Sequence, residues 1–209
     1  MIQEKLFIYW QQTIKPFNIE KIAANQAFTD LVNTYSQPYR YYHNLKHLDH
    51  ILSTINILQI YAQDLPSVKL AAWFHDIIYN THAQDNEEKS ADYAANILES
   101  LGIPTSNINT VHQLILNTKN HQSNDLNSQV LLDADLAILA AKPVEYQEYA
   151  EAIRQEYAWV SELEYITGRR QILKGFLQRE RIYFTPLMFE SSEKSARDNL
   201  EREINYLYL

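Results

Sequence analysis

Histidine and aspartate occur at three separated places in the chain where apolar residues surround them. His47 lies in a leucine-rich stretch, and His75 and Asp76 lie between two apolar runs. Asp133 and Asp135 alternate with leucine and alanine. Burying such groups is costly unless each has a partner, and neighbouring buried carboxylates also repel each other. A cation removes both problems, so the pattern predicts a metal site built from several helices. The predicted ligands are His47, His75, Asp76 and Asp135.

Each of these residues, taken singly, also fits a second interpretation. A hydrogen-bonded polar group in a core or at a helix end is about as common as a metal ligand. Asp133 fits a position behind the ligands, where it would orient a histidine. His121 follows a helical stretch and fits a second metal ion, a substrate group or the helix dipole. The remaining histidines expected at the surface are His50, His82 and His112.

The composition limits the metals and partners of such a site. The chain has no cysteine, which excludes disulfides, thiolate-bound zinc, iron–sulfur clusters and a cysteine nucleophile. Histidine and carboxylate ligands suit a divalent ion, and we expect one ion of Mn, Fe, Co, Ni, Zn or Mg. A formal net charge of −8 gives no basic surface for DNA or RNA. A small anionic substrate is still compatible with this charge, because a metal would supply positive charge locally.

The sequence also carries no sign of a membrane or secretory destination. No apolar run reaches the roughly 18 residues that a membrane-spanning helix needs. The first residues lack the basic region and apolar run of a secretory signal. We therefore expect a cytoplasmic protein without membrane partners, and the sequence leaves open whether it forms a homo-oligomer.

Helices are the elements that must position these residues. Only 3 glycines and 6 prolines interrupt 209 residues, and apolar residues recur at helical spacing nearly throughout. The sequence predicts an all-α fold, with Asn44 as the N-cap of the helix that carries His47 and with His43 just outside it. His75 and Asp76 are predicted to lie on one helix. The predicted helices include residues 28–35, 45–55, 66–74, 91–98, 108–115, 146–157, 172–177 and 196–207.

The order His…His-Asp…Asp resembles the HD superfamily of metal-dependent phosphohydrolases. Closer similarity to a bacterial family of predicted HD phosphohydrolases covers nearly the whole chain. The segments that carry it are Tyr42-His43-Asn44 through His47-Leu48, Trp73-Phe74-His75-Asp76, Asn86 to Ala91, Leu132 to Leu136, Ile153 to Tyr157, Gly168-Arg169 and Ala196 to Leu200. The resemblance implies a single HD-type helical bundle over residues 1–209, with its core at about residues 40–140 and helical additions at both ends.

The resemblance also implies roles for individual residues. His47, His75, Asp76 and Asp135 match the metal ligands, and His43 matches a general acid in the similar motif of cyclic-nucleotide phosphodiesterases. Glu87 and Glu88 match a stretch beside the metal water in related nucleotidases, so Asp76 or Glu88 is expected to orient the attacking water. The pattern differs at Gln37 and Tyr39, where an acidic residue and a histidine are common.

Together these residues predict hydrolysis of a small phosphate ester, with a nucleotide as the expected substrate, by a metal-activated water. The alternative is a catalytically inactive sensor of the same fold that binds metal or nucleotide. Arg40, Lys119 and His121 are the candidate substrate-binding residues, although Arg40 and Lys119 also fit solvated surface charges. The later arginines alternate with acidic residues such as Glu156 and predict ordinary surface or inter-helix ion pairs.

Overall fold

The computed structural model describes residues 2–207, and within this range the protein contains α-helices, three short 3-10 segments and no β-strand. The all-α prediction is therefore confirmed. The helices are α1 (Ile2–Ile14), α2 (Lys21–Tyr35), α3 (Leu45–Leu58), α4 (Leu65–Phe74), α5 (Asn86–Ser100), α6 (Thr105–Thr118), α7 (Leu126–Asp135), α8 (Pro143–Glu156), α9 (Glu162–Leu177) and α10 (Pro186–Tyr206).

Local signals in the sequence set several of these helix ends. The Asn44 side chain accepts a hydrogen bond from the Lys46 backbone N–H at 2.8 Å, so the predicted N-cap of α3 is confirmed. Asp64 and Asp125 cap α4 and α7 in the same way. Helix α5 ends just before Gly102, whose φ of +74° is a conformation that glycine adopts without strain.

The core forms around α3, α4 and α7, which contact one another and are covered by α1 and α6. Buried apolar side chains from Leu6 to Ile204 belong to one contiguous cluster. Its largest members are the indoles of Trp10 and Trp73, which meet edge to face at 5.4 Å between ring centroids. Each indole N–H is satisfied, Trp10 by the Ala24 carbonyl and Trp73 by a hydroxyl. This core fixes the relative positions of α3, α4 and α7.

The three helices present their ends, rather than their middles, to the candidate site. His47 lies in the first turn of α3, and Asp135 is the last residue of α7. The prediction that His75 and Asp76 lie on one helix is wrong, because α4 ends at Phe74 and the two residues form the turn that follows. Side chains in such a turn are directed by its backbone geometry, which the apolar pattern before it does not specify.

The C-terminal helices are held to this core by buried polar contacts. Asn199 on α10 donates to the carbonyls of Leu139 and Ala141 at 2.8 Å each. Arg169 on α9 pairs with Glu203 on α10, with both side chains less than a tenth exposed. Arg169 therefore forms an inter-helix ion pair of the predicted kind, although both side chains are buried. No helix in the range 2–207 combines the length and apolar character that crossing a membrane requires.

Candidate metal centre

Two imidazoles and two carboxylates converge where α3, α4 and α7 meet. The Nε2 atoms of His47 and His75 lie 3.4 Å apart. Asp76 Oδ2 is 2.9 Å from His75 Nε2 and 3.5 Å from His47 Nε2. Asp135 Oδ1 completes the group, at 3.4 Å from His47 Nε2 and 3.7 Å from His75 Nε2. All four predicted ligands therefore direct a nitrogen or oxygen atom toward one point.

The donor set fits a divalent metal ion. Ligand atoms of His47, His75 and Asp135 all lie within 4.8 Å of one another, and both imidazoles are buried. His75 Nδ1 lies 3.0 Å from the Ala72 carbonyl oxygen, so Nδ1 donates a hydrogen bond there and Nε2 is the ring nitrogen that faces the centre. A hydrogen-bonded second nitrogen of this kind is the usual support of a metal-binding histidine. The group of His47, His75 and Asp135 could hold a metal ion.

Electrostatics in the cluster favour a positive charge among the carboxylates. Burial by itself would raise the pKa of Asp76 and Asp135, but the neighbouring imidazoles hold both pKa values well below the usual range. Burial would likewise lower the pKa of His47 and His75, yet the two carboxylates raise both. A cation at the centre would replace these protons, so its binding would release them.

His43 lies beside the cluster and is held by an acidic residue that is distant in sequence. His43 Nδ1 is 2.7 Å from Glu156 Oε2, and its Nε2 faces Asp76 Oδ2 at 3.9 Å. Glu156 also accepts the backbone N–H groups of Tyr42 and His43 and the hydroxyl of Tyr79. The Glu156 side chain is fully buried and its described partners include no arginine, so the prediction of a surface or inter-helix ion pair with an arginine is wrong for it. Its place at the end of an amphipathic helix gave no signal of this contact.

The Arg40 side chain is buried beneath the site and does not line the cavity. Its guanidinium donates to the carbonyls of His43, Asp76 and Ile77 at 2.8–3.1 Å, and the residue is 5% exposed. These bonds tie the loop before α3 to the turn after α4. Arg40 therefore holds together the two segments that carry His43 and Asp76, and its donors are directed at backbone oxygens rather than at a substrate.

Glu88 and Lys119 pair with each other at the edge of the site. Lys119 Nζ contacts Glu88 Oε1 and donates to the Gln84 carbonyl at 2.8 Å. This ion pair holds the pKa of Glu88 below its usual range. Lys119 lines the neighbouring cavity, whereas Glu88 is not among the lining residues. The structure therefore places Lys119 at the cavity wall and leaves Glu88 as its partner.

His121 reaches the cluster from the loop between α6 and α7. Its Nε2 lies 3.0 Å from Asp135 Oδ2, the oxygen that does not face His47 and His75. Its φ of +48° is in the left-handed region, which costs a histidine some strain. Arg179 holds this conformation by donating to the carbonyls of Asn120 and His121. His121 thus supports Asp135 while its ring borders the cavity.

Asp133 faces away from the cluster, although only Ala134 separates it from Asp135. It accepts hydrogen bonds from the N–H groups of Phe184 and Thr185 at 2.8 and 2.7 Å, and from the Thr185 hydroxyl at 2.6 Å. Burial raises its pKa to about 6 despite these bonds. Asp133 fastens the segment before α10 to α7, and it contacts no ligand histidine among the bonds described.

A cavity of about 1040 Å³ opens from the cluster toward α8 and α9. His43, His75, Asp76 and Asp135 form part of its wall. Aromatic rings line it next to the cluster, with Tyr79 at 4.2 Å from His43 between ring centroids. The candidate centre is therefore accessible to a molecule much larger than water.

No protein-family model matches this chain, and no curated protein matches it either.

Proposed function

We propose that this protein is a divalent-metal-dependent phosphohydrolase that acts on a small phosphate ester. One observation carries the proposal. His75, Asp76 and Asp135, whose side-chain atoms converge with Nε2 of His47, line a large cavity that His43 and Lys119 also line. Buried ligands that face open space, rather than being enclosed by protein on all sides, suit catalysis better than structural metal binding.

His47, His75 and Asp135 would hold the ion, and Asp76 adds a second carboxylate beside it. Nitrogen and oxygen donors without sulfur suit Mn, Fe, Co, Ni, Zn or Mg, and one cluster of this size suits one ion. When bound, such an ion polarises a phosphoryl oxygen and lowers the pKa of a water molecule.

The surrounding residues supply orientation and a proton. Asp76 orients the attacking water, whose oxygen forms a bond to phosphorus while the ester P–O bond breaks. His43 gives a proton from Nε2 to the leaving alcohol oxygen, and the proton lost by the water passes to solvent through Asp76. Glu156 holds the His43 ring through Nδ1 at 2.7 Å, which leaves Nε2 directed toward Asp76 and the cavity.

The substrate is a small phosphorylated molecule, with a nucleotide as the first class to assay. Lys119 is the cation best placed for its phosphate, because it lines the cavity and its partners Glu88 and Gln84 lie near the protein surface. Arg40 takes no part in binding, since its donors are directed at three backbone carbonyls.

Metal-free protein reconstituted in turn with each of the six metals tests the proposal. Elemental analysis should find about one equivalent bound, and at least one metal should support release of phosphate from 4-nitrophenyl phosphate. Asp76→Ala should reduce the turnover by at least about 100-fold. Asp92→Ala is the matched control, because Asp92 is an exposed acid that pairs only with His112 in the bonds described.

Two outcomes would contradict hydrolysis and differ from each other. Metal binding without turnover on any phosphate ester would favour the alternative of an inactive metal or nucleotide sensor. Wild-type protein that binds none of the six metals would contradict both functions, because the cluster would then serve only the fold.

A further inference from the structure

Helix α9 presents an unusually open face to the cavity. Gly168 and Gly175 both line it, and they are seven residues apart on the same helix face. A Cβ atom added at either glycine would meet no other atom within 4 Å. Glycine inside a helix costs about 1 kcal/mol relative to alanine. Nothing in the packing requires these glycines, so the open space beside them is available to a bound molecule.

The wall around this face carries apolar and aromatic side chains among polar ones. Ile172 lies between the two glycines on the same face and is 55% exposed, although it lines the cavity. Six aromatic side chains also line the cavity, and they are Tyr42, Tyr79, Tyr149, Tyr157, Tyr165 and Phe176. Apolar and aromatic walls with a few polar groups at one end are typical of sites for small molecules. The polar end here is the candidate metal centre.

The charges of the wall do not suit a polyphosphate. Three cations line the cavity, and each already has partners in the described chain. Arg169 pairs with Glu203, Arg179 donates to two carbonyls, and Lys119 pairs with Glu88. Four carboxylates also line it, namely Asp76, Glu87, Asp135 and Glu164. Asp76 and Asp135 belong to the metal centre, so beyond it a chain of phosphates would meet the carboxylates of Glu87 and Glu164 and three cations that already have partners.

We propose that the cavity is specific for a phosphate monoester with a bulky, largely apolar alcohol group, and that this group lies against Gly168, Ile172 and Gly175 of α9. The inference rests on the proposed hydrolase function and adds the substrate class to it. The phosphoryl group lies at the metal centre, and the alcohol part occupies the slot that the two glycines leave open.

Substrate comparison with the wild-type, metal-loaded protein is the first test. We expect 2-phenylethyl phosphate to be hydrolysed with kcat/KM at least about tenfold above glycerol 3-phosphate, since both release an aliphatic alcohol and apolar contact of a few methylene groups is worth this much. We expect AMP to exceed ATP by at least about tenfold, because the extra phosphates meet the carboxylates of Glu87 and Glu164. ATP equal to or better than AMP would overturn the proposal.

Filling the slot is the second test. Gly168→Leu adds bulk on the cavity side of α9 and also favours the helix, so the variant should fold. It should lower kcat/KM for 2-phenylethyl phosphate at least about tenfold more than kcat/KM for glycerol 3-phosphate. Thr167→Leu is the matched control, because Thr167 is exposed on the same turn and does not line this cavity. Equal effects on both substrates would overturn the assigned slot.

A binding measurement distinguishes failure of this inference from failure of the proposed function. Calorimetric titration of wild-type protein with 2-phenylethyl phosphate, glycerol 3-phosphate, AMP and ATP measures the same preference without turnover. The expected preference in a protein that hydrolyses none of them would support the substrate class and contradict hydrolysis alone. Turnover with the opposite preference would support hydrolysis and overturn the substrate class.

Discussion

Asp133 and Asp135, two residues apart at the end of α7, occupy opposite kinds of polar environment. Asp133 is fully buried and accepts three hydrogen bonds from the segment before α10. Asp135 faces the ring nitrogens of His47, His75 and His121 at 3.0–3.7 Å. The first aspartate is surrounded by fixed N–H and O–H donors. The second meets imidazoles whose nitrogens can exchange a proton for a metal ion.

The difference shows how a buried acid acquires its role. Backbone N–H groups keep their protons at neutral pH and cannot bind a cation. A carboxylate whose hydrogen bonds come from such groups therefore stabilises the fold. Imidazoles become ligands as soon as they lose a proton, so an acid that faces them can share a cation with them. Glu156 is intermediate, because two of its donors are backbone N–H groups and a third is the His43 ring.

Removal of the Asp133 carboxylate should have the largest effect, and the quantity that it lowers should be the free energy of unfolding. Asp133→Ala leaves three donors of Phe184 and Thr185 buried without an acceptor, which should lower the free energy of unfolding by about 3–5 kcal/mol. Urea denaturation measures this loss. Metal content measured at low temperature on the folded protein should stay at the wild-type value. A loss of metal there would contradict the assignment of Asp133 to stability and of Asp135 to metal binding.

Substitution of Asp135 should instead lower the affinity of the protein for metal. Asp135→Asn keeps the shape of the side chain and removes the charge that faces His47 and His75, so we expect metal affinity to fall by about 100-fold, or about 2.7 kcal/mol. A competition titration with a metal indicator measures the dissociation constant. Saturating metal should raise the melting temperature of the wild type and of Asp133→Asn far more than that of Asp135→Asn. Equal metal stabilisation in all three proteins would contradict the assignment.

Substitution of Glu156, whose donors include both backbone N–H groups and the His43 ring, should affect substrates differently according to their leaving groups. Glu156→Gln retains an acceptor for backbone N–H groups but weakens the support of His43, so kcat for an alkyl phosphate should fall by about 10–100-fold. The fall should be much smaller for 4-nitrophenyl phosphate, whose leaving group needs no proton, and KM should change little. A purely structural role for Glu156 predicts equal losses for both substrates.

Loss of one donor to Asp133 should have the smallest effect. Thr185→Val removes the hydroxyl that contacts Asp133 Oδ2 and keeps the backbone N–H bond, so the expected loss is about 1 kcal/mol of unfolding free energy. Thermal denaturation of Thr185→Val and Asp133→Ala, alone and combined, measures it. Because both changes act on one group of bonds, their combined loss should be smaller than the sum.

The sequence by itself determined the helical fold and the residues that could meet a cation. Helical spacing of apolar residues and the capping signals at Asn44 and Gly102 are local properties, so they could be predicted without knowledge of the packing. Polar residues in apolar stretches also mark burial locally, which is why His47, His75 and Asp135 could be singled out. The apolar pattern alone did not distinguish Asp133 from Asp135, since a leucine and Ala134 flank each of them, and the family resemblance matched Asp135 to the ligand.

Only the tertiary structure decided which partner each polar group has. Glu156 meets His43 across 113 residues, and Asp133 meets Thr185 across 52. Arg40 is directed inward by carbonyls of the turn after α4, and Gly168 faces open space because α9 stands away from the cluster. Hydrogen-bond partners and cavities depend on how helices pack against one another. The apolar pattern of each helix indicates which face is buried, but it does not indicate which other helix packs against that face.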